Sequence, residues 1–333
     1  MDKIRWGIIS AANIAYDELV PALRRSNRAN VAAVASKSRN KAERFNTPIV
    51  YEEYEQLLDD SSIDAVYIPL PNSLHSEWAV KALKKGKHVL LEKPAALNEA
   101  EMREIKMAAE ENEVIFMEAF MYQFHSQHKR VKELLESGMI GEYRHIKAHF
   151  SWMLEDEEDI RLNRELGGGA MRDVGCYGVH AVTQMIGFKP VRLSMTGKVH
   201  PEKGVDTTSS CILFDQENRM AEVSASMELP FIDRYEIIGT KGSIAVDSSF
   251  RPDVSDDESG KVTVRDQNGN TVLFERYKDD QYLNQVEHFH DCVYKGDTPA
   301  YNAAHSLEMA RYLEKCYESL NKNSVLTIIE KGE

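Results

Sequence analysis

The first 120 residues alternate short apolar runs with helical patterns, and this alternation restricts the fold more than any other feature. Five apolar runs predict buried strands: Ile4–Ile9, Val31–Ala35, Ala65–Pro69, His88–Leu91 and Val114–Met117. A helical pattern follows each of the first four runs. Strands that alternate with helices connect by right-handed crossovers, so we predict an α/β domain on a parallel, doubly wound sheet.

The hydrophobic period changes after residue 120. Arg144–Trp152, Val191–Val199 and Ala221–Leu229 alternate apolar with polar side chains, which predicts long strands with one covered face. Gly269 in the sequence QNGN indicates a hairpin turn, so this second sheet is mainly antiparallel. The polar face of this sheet is either exposed to solvent or part of a subunit interface. We therefore predict two domains, residues 1–120 and residues 121–333.

The charge balance bears on the partners of the chain. Lys and Arg number 41 against 54 Asp and Glu, a net charge of 41 − 54 = −13. Such a chain repels phosphate backbones, so we expect neither nucleic acid nor a membrane surface as a partner. No apolar run approaches the ~20 residues of a membrane helix. The four cysteines form no CxxC motif, and the N-terminus lacks a signal-peptide layout, so we expect a cytoplasmic protein.

The turn after the first strand is a candidate dinucleotide site. Ser10, Ala12 and Ala15 occupy the three glycine positions of a GxGxxG turn, with Asn13 and Ile14 between the second and the third. These small side chains let a pyrophosphate approach the backbone at a helix N-terminus. A plain strand–turn–helix unit with small packing residues is the alternative.

The end of the second strand bears on the choice of cofactor. An NAD site usually has an acidic residue here for the ribose hydroxyls. This chain has Ser36, followed by Lys37, Ser38 and Arg39. A planar guanidinium suits a 2′-phosphate, so the segment favours NADP over NAD, with NAD still possible. A solvated basic loop is the alternative, above all for Lys37.

Two further segments carry candidate catalytic groups. Lys93 follows the fourth strand, at the sheet edge where doubly wound folds bind ligands, and Pro94 biases it toward an extended conformation. After the glycine run Gly167–Gly169, a regular helix would place Asp173, Tyr177 and His180 on one face, which suggests acid–base chemistry. The alternatives are a surface lysine for Lys93, a helix cap for Asp173, and ordinary half-buried side chains for Tyr177 and His180.

The segment His288–Cys292 superficially resembles a metal site. Neighbours at positions i, i+2 and i+4 of a helix do not converge, so we predict no metal there.

Five segments stand in the order seen in the Gfo/Idh/MocA oxidoreductases, which the chain resembles over nearly its whole length. They are Gly7–Ala15, Pro69–His75, Glu92–Pro94, Met117–His125 and Gly167–Tyr177. The last two resemble the subgroup of NADP-dependent D-xylose dehydrogenases and dimeric dihydrodiol dehydrogenases.

The resemblance implies an N-terminal Rossmann domain, a C-terminal α/β domain with a large open-faced sheet, and a homodimer or higher oligomer. It also implies hydride transfer between nicotinamide and a sugar, polyol or diol. The family's lysine corresponds to Lys93 and its aspartate to Asp173. Many members have His where this chain has Tyr177, as in the dihydrodiol subgroup.

From these residues we hypothesise that Tyr177 is the general acid/base. Lys93 would lower its pKa and bind the substrate oxygen, and Asp173 would orient the substrate or Lys93. Lys93 itself is the alternative base.

Leu70, Asn72, His75, Glu92 and Lys93 are further cofactor candidates. Weaker substrate candidates are Tyr122, Trp152 and Arg161. Two other activities compete: glycosidase-like chemistry with transient use of bound NAD, and a non-catalytic NADP-binding regulator.

Overall fold

The computed structural model describes residues 3–329, which form two compact units. Unit 1 is the described part of Met1–Met121 together with Gln281–Ala310, and unit 2 is Tyr122–Asp280 with the described part of Arg311–Glu333. The predicted division assigned everything after residue 120 to the second domain. The structure differs because one late segment returns to the first unit.

Contacts of the late segment explain this difference. The indole Nε1 of Trp6 donates to His290 Nε2 at 3.1 Å, and the Trp6 ring lies 4.9 Å from that of Phe289. Arg28 also pairs with Glu287 and with Asp291. These partners are more than 250 positions apart in sequence, so the hydrophobic period of the late segment alone does not reveal the return.

The sheet of unit 1 has six parallel strands in the order β3-β2-β1-β4-β5-β6. This is the doubly wound Rossmann order, which confirms the predicted fold class. A short strand and the helix after it were not predicted, because the strand is three residues long and partly exposed at the sheet edge. The strands are β1 Ile4–Ile9, β2 Ala29–Ala35, β3 Ile49–Tyr51, β4 Ala65–Ile68, β5 His88–Leu91 and β6 Phe116–Glu118.

A helix follows each of the four strands after which the sequence predicts one. Asn98 caps the helix Glu99–Glu111, since its Oδ1 accepts the Glu101 N–H at 2.9 Å. Within residues 3–329, no helix is both long and apolar enough to cross a membrane. The helices are α1 Val20–Arg25, α2 Arg39–Glu43, α3 Tyr54–Asp59, α4 His75–Lys84, α5 Glu99–Glu111, α6 Ser126–Glu136, α7 Cys176–His180, α8 Gln281–Lys295 and α9 Ala303–Asn321.

The sheet of unit 2 has nine strands in the order β14-β13-β12-β11-β7-β10-β9-β8-β15. The pair β7–β10 is parallel and the other pairs are antiparallel, so the mainly antiparallel sheet is confirmed. The predicted turn at Gly269 joins β13 to β14. The strands are β7 Tyr143–Met153, β8 Arg192–Val199, β9 Asp206–Phe214, β10 Met220–Ser226, β11 Glu228–Gly239, β12 Gly242–Asp247, β13 Gly260–Asp266, β14 Thr271–Tyr277 and β15 Thr327–Ile328.

Helix α7 positions Tyr177 and differs from the expected regular helix. π-helical turns flank it at Met171–Gly175 and Ala181–Met185, so the predicted single face does not run unbroken. Gly178 packs against Val223 of β10 and Ala148 of β7, where a Cβ atom would collide with the Val223 side chain. The helix therefore approaches the sheet more closely than a larger residue would allow.

Candidate active site

The turn after β1 adopts a backbone conformation that favours glycine, although Ser10 stands there. Ser10 has a φ of +95°, a region that L-residues rarely adopt, and it stands at the first glycine position of the predicted motif. Its N–H donates to Ala35 O at 2.9 Å. Ala15 is fully buried at the third position, while Ala12, Asn13 and Ile14 are partly or fully exposed. A strained non-glycine residue at such a turn is typical of functional sites.

The segment after β2 is open to solvent apart from its first residue. Ser36 is buried, and its hydroxyl accepts the Ser38 N–H at 3.1 Å. Lys37, Ser38 and Arg39 are exposed. Arg39 Nε donates to Glu43 at 3.0 Å, and its Nη1 lies 3.6 Å from a Glu52 carboxylate oxygen. Exposed ion pairs of this kind contribute little to stability. The pairs with Glu43 and Glu52 therefore leave the Arg39 guanidinium available for an incoming phosphate.

His75 links two loops at the carboxyl edge of the parallel sheet. Its Nδ1 lies 2.8 Å from Pro94 O, and its Nε2 lies 2.7 Å from Leu70 O. Burial lowers the pKa of His75 to about 4, so the imidazole is neutral and donates one N–H to one of these carbonyls. Asn72 lies in the first loop, between Leu70 and His75, and is partly exposed. The structure thus gives His75 a buried linking position.

Two carboxylates hold the backbone that carries Lys93. Glu92 accepts a hydrogen bond from the Tyr67 hydroxyl and, at 3.2 Å, from the Lys93 N–H. Glu118 at the end of β6 accepts the Ala95 N–H at 2.8 Å. Burial raises the pKa of Glu118 to about 7. Lys93 is partly exposed, and its bond to Pro94 is cis.

In unit 2, two of the predicted site residues contact the carboxylate of a third, Asp173. Asp173 Oδ1 lies 3.1 Å from Arg161 Nε, and Asp173 Oδ2 accepts the Trp152 indole N–H at 3.2 Å. The Arg161 guanidinium also lies over the Trp152 ring, 5.2 Å from its centroid, and binds Asp159. The Asp173 charge raises the pKa of Arg161 further above its usual range, so the guanidinium keeps its charge. Each Asp173 carboxylate oxygen thus faces a nitrogen donor of a neighbouring side chain.

The glycine run before Asp173 is required by close packing. A Cβ atom on Gly168 would collide with the Arg161 carbonyl, and one on Gly169 with Asp206 and the Tyr317 hydroxyl. Gly169 has a φ of +124°, which also favours glycine. Asp206 accepts the Met171 N–H at 2.8 Å and the Tyr317 hydroxyl at 2.7 Å. This buried carboxylate anchors the start of the segment that carries Asp173.

Tyr177 sits among aromatic rings with 7% of its surface exposed. Its ring centroid lies 5.4 Å from that of Phe150, 5.5 Å from Phe250 and 5.7 Å from Tyr122. Tyr122, predicted as a weak substrate contact, is fully buried, and its hydroxyl lies 2.6 Å from His180 Nδ1. This is the position of a supporting residue. Side chains that contact Tyr177 this way fix the direction of its phenol.

Sequence reasoning missed several supporting groups. Phe250 lies in a loop far along the chain, and no periodic pattern points to it. Asp206 and Tyr317 are also distant from the glycine run that they contact. Glu118 stands at the end of β6, beside Glu92. This strand-end position was the sequence signal that could have identified Glu118 as part of the site.

The segment around His288 has structural partners. His288 Nε2 accepts the Ala300 N–H at 2.9 Å and lies 3.6 Å from Cys292 Sγ. Among residues 3–329, no group of three or more His, Cys, Asp or Glu side chains is arranged to hold a metal ion.

Comparison with known proteins gives two family matches. Residues 4–120 match the GFO/IDH/MocA oxidoreductase family with an NAD-binding Rossmann fold. Residues 128–245 match the GFO/IDH/MocA C-terminal domain.

Individual relatives match nearly end to end. The chain is 33% identical to D-xylose 1-dehydrogenase (NADP(+)) 2 of Haloferax volcanii, over 97% of this chain and 99% of that protein. It is 33% identical to trans-1,2-dihydrobenzene-1,2-diol dehydrogenase of Xenopus laevis, over 95% and 98%. A crystal structure of a 3-ketoreductase from Actinomadura kijaniata, in complex with NADP and TDP-benzene, has a TM-score of 0.89. It is 29% identical and covers 96% of this chain and 98% of its own.

Proposed function

This chain belongs to the GFO/IDH/MocA oxidoreductase family, and from that premise we propose that it transfers a hydride between NADP and a sugar, polyol or diol. The observation that carries the proposal is the combination of a glycine-like turn at Ser10 with intact Lys93, Asp173 and Tyr177. Relatives named as NADP-dependent or diol dehydrogenases support the same class of reaction.

The residues after β1 and β2 fit a dinucleotide. The turn at Ser10 leaves backbone N–H groups near a helix start for a pyrophosphate. Ser36, Ser38 and Arg39 provide hydroxyl and guanidinium donors for a ribose 2′-phosphate. Bound nicotinamide would supply the hydride acceptor or donor. NADP is the cofactor that this set of donors favours, because no carboxylate stands at Ser36.

The proton must be handled by the chain itself. We assign Tyr177 as the group that takes or gives the substrate hydroxyl proton, with its phenol direction fixed by the surrounding rings. Lys93 serves the same step by stabilising the phenolate. Asp173, held by Arg161 and Trp152, accepts a hydrogen bond from a substrate hydroxyl. Lys93 as the proton acceptor remains the alternative assignment.

The experiment that tests the function is reduced-nicotinamide absorbance with a panel of aldoses, diols, a TDP-linked ketosugar and a chromogenic glycoside. Net oxidation or reduction with at least one substrate is expected. Retained cofactor with glycoside cleavage and no net reduction would favour transient NAD chemistry. Cofactor binding with neither reaction would favour a regulatory protein and overturn the proposal.

Arg39→Ala should weaken NADP binding by roughly 10-fold or more, because charge-assisted hydrogen bonds contribute about 1.5–3 kcal/mol. The affinity for NAD should change little. Fluorescence titration with both nucleotides measures the effect. Arg103→Ala is the matched control, because Arg103 also forms an exposed pair, with Glu99, on a helix of the same unit. Equal losses for NADP and NAD would contradict the assigned contact.

Asp173→Asn should raise the KM of the sugar or diol by roughly 10-fold, because an amide accepts a weaker hydrogen bond than a carboxylate. The KM of NADP should stay within about 2-fold, since Asp173 is assigned to the sugar or diol and not to the nucleotide. Steady-state kinetics give both constants. Asp159→Asn is the control, because it removes the other carboxylate that Arg161 binds. If Asp159→Asn raised the KM of the sugar or diol equally, Asp173 would act only by holding Arg161 and not by binding the substrate.

We further propose a homodimer, or a higher homo-oligomer, in the cytoplasm. The support is the alternation of β7, where His145, Lys147 and His149 face away from the buried side chains of Ile146 and Ala148. A polar sheet face of this kind suits pairing with a second copy.

A further inference from the structure

Two buried tyrosine–histidine pairs lie side by side in unit 2. The Tyr122 hydroxyl lies 2.6 Å from His180 Nδ1, and the Tyr235 hydroxyl lies 2.9 Å from His128 Nδ1. All four side chains are at most 2% exposed. The Tyr122 ring meets the His128 ring edge to face, with centroids 5.0 Å apart. The proton chemistry assigned above uses neither pair.

The first pair differs from the second in one respect that bears on function. The Tyr122 ring contacts the Tyr177 ring, whereas Tyr235 contacts Phe250 and His128. His180, the hydrogen-bond partner of Tyr122, ends the same short helix that carries Tyr177. Tyr122 is thus attached at its hydroxyl to one residue of α7 while its ring packs against another.

The attachment restricts Tyr122 strongly. Phe250 also meets the Tyr122 ring edge to face, with centroids 5.0 Å apart, and Phe250 in turn contacts Tyr177. A ring held by three aromatic neighbours and a hydroxyl bond has little freedom to rotate. Any freedom that Tyr122 gained would be transmitted to the Tyr177 ring, because the interior is close-packed.

We propose that Tyr122 is a positioning residue for Tyr177, with its hydroxyl bond to His180 as the element that locks the Tyr177 phenol in its reactive direction. The proposal rests on the function proposed above. Tyr122 itself carries no proton in the reaction. Burial raises the pKa of Tyr122 well above its usual value, so its hydroxyl stays protonated. It donates to His180 Nδ1 when the neutral imidazole carries its proton on Nε2.

The groups around Tyr122 agree with a positioning role. Tyr235, Cys176, Tyr177 and Asp233 are the titratable side chains whose charges bear on it. Burial raises the pKa of Asp233 to about 6. Asp233 accepts the N–H groups of Ser249 and Phe250, so it holds the loop that brings Phe250 to the rings.

The test compares Tyr122→Phe with Tyr235→Phe. Each variant removes one hydroxyl from a buried tyrosine–histidine pair and keeps the ring. Tyr122→Phe should lower kcat about 10-fold, because small misplacements of a reacting group are costly. It should also move the limb of the pH–kcat profile that reports Tyr177 upward by at least about half a unit, toward the ordinary phenol value. The KM of NADP should stay unchanged.

Tyr235→Phe should leave the same limb in place and kcat within about 2-fold of the wild type. His180→Leu is the second variant, which removes the acceptor from the other side and should reproduce the shift of Tyr122→Phe. A fall in kcat with no shift of the limb in either variant would show a merely structural role and overturn the proposal. An equal shift in Tyr235→Phe would also overturn it.

One readout does not depend on turnover. In protein labelled with ¹³Cζ-tyrosine, the Tyr177 resonance is identified by its loss in Tyr177→Phe. We expect this resonance to move in Tyr122→Phe and to stay in place in Tyr235→Phe. If the wild type oxidised and reduced no substrate, the proposed function would fail while this spectrum still decided the positioning role. An unmoved resonance in Tyr122→Phe would overturn the positioning role alone.

Discussion

Tyr177→Phe should lower kcat at least about 100-fold, because proton-transfer catalysis contributes roughly 10²–10⁴-fold. The substitution removes only the hydroxyl. The ring contacts with Phe150, Phe250 and Tyr122 remain, so the aromatic cluster should keep its packing. Affinity for NADP should stay the same, since none of the residues assigned to the nucleotide is changed. Steady-state turnover and a nucleotide titration on the same preparation measure both quantities.

Tyr143→Phe is the control for this substitution. Tyr143 begins β7 in the same unit, where the Arg219 guanidinium lies 4.6 Å from its ring centroid. The same loss of a hydroxyl there should leave kcat within about 2-fold, as for most substitutions away from a functional site. Near-normal turnover of Tyr177→Phe would exclude Tyr177 as the acid/base and move that role to Lys93.

The fold could be predicted from the sequence wherever hydrophobic period and length were clear. The apolar run Ile4–Ile9 and the alternating segment around Ile146 match strands β1 and β7 almost residue for residue. Strand β3 was missed because three partly exposed residues produce no period. The return of Gln281–Ala310 to unit 1 was missed because it rests on long-range contacts, such as that between Trp6 and His290.

The candidate site was predictable at its chemically distinctive positions and less so at the residues that pack against them. Trp152, Arg161 and Asp173 were singled out separately from the sequence. In the structure, Trp152 and Arg161 both contact the Asp173 carboxylate. Their assembly depends on Gly168 and Gly169 packing against backbone and side chains from other segments. No local pattern encodes the π-helical turns beside α7 or the place of Phe250 against Tyr177.

Lys93→Met should reduce kcat by at least about 100-fold and shift the Tyr177 limb of the pH profile toward higher pH. The sign follows from electrostatics. A nearby ammonium favours phenolate and lowers the phenol pKa, so its removal raises that pKa toward the ordinary value of ~10. Lys85→Met is the control, because Lys85 lies at the end of α4, is exposed and pairs with Asp59. Its removal should change neither kcat nor the limb.

Lys93→Arg then separates the two possible bases. A guanidinium keeps the positive charge but does not lose its proton at any accessible pH. If Lys93 acts through its charge on Tyr177, Lys93→Arg should recover at least about a tenth of the turnover and keep the limb near its wild-type position. If Lys93 itself takes the proton, Lys93→Arg should be as inactive as Lys93→Met. Tyr177→Phe would in that case keep substantial turnover, because its phenol would have only a binding role.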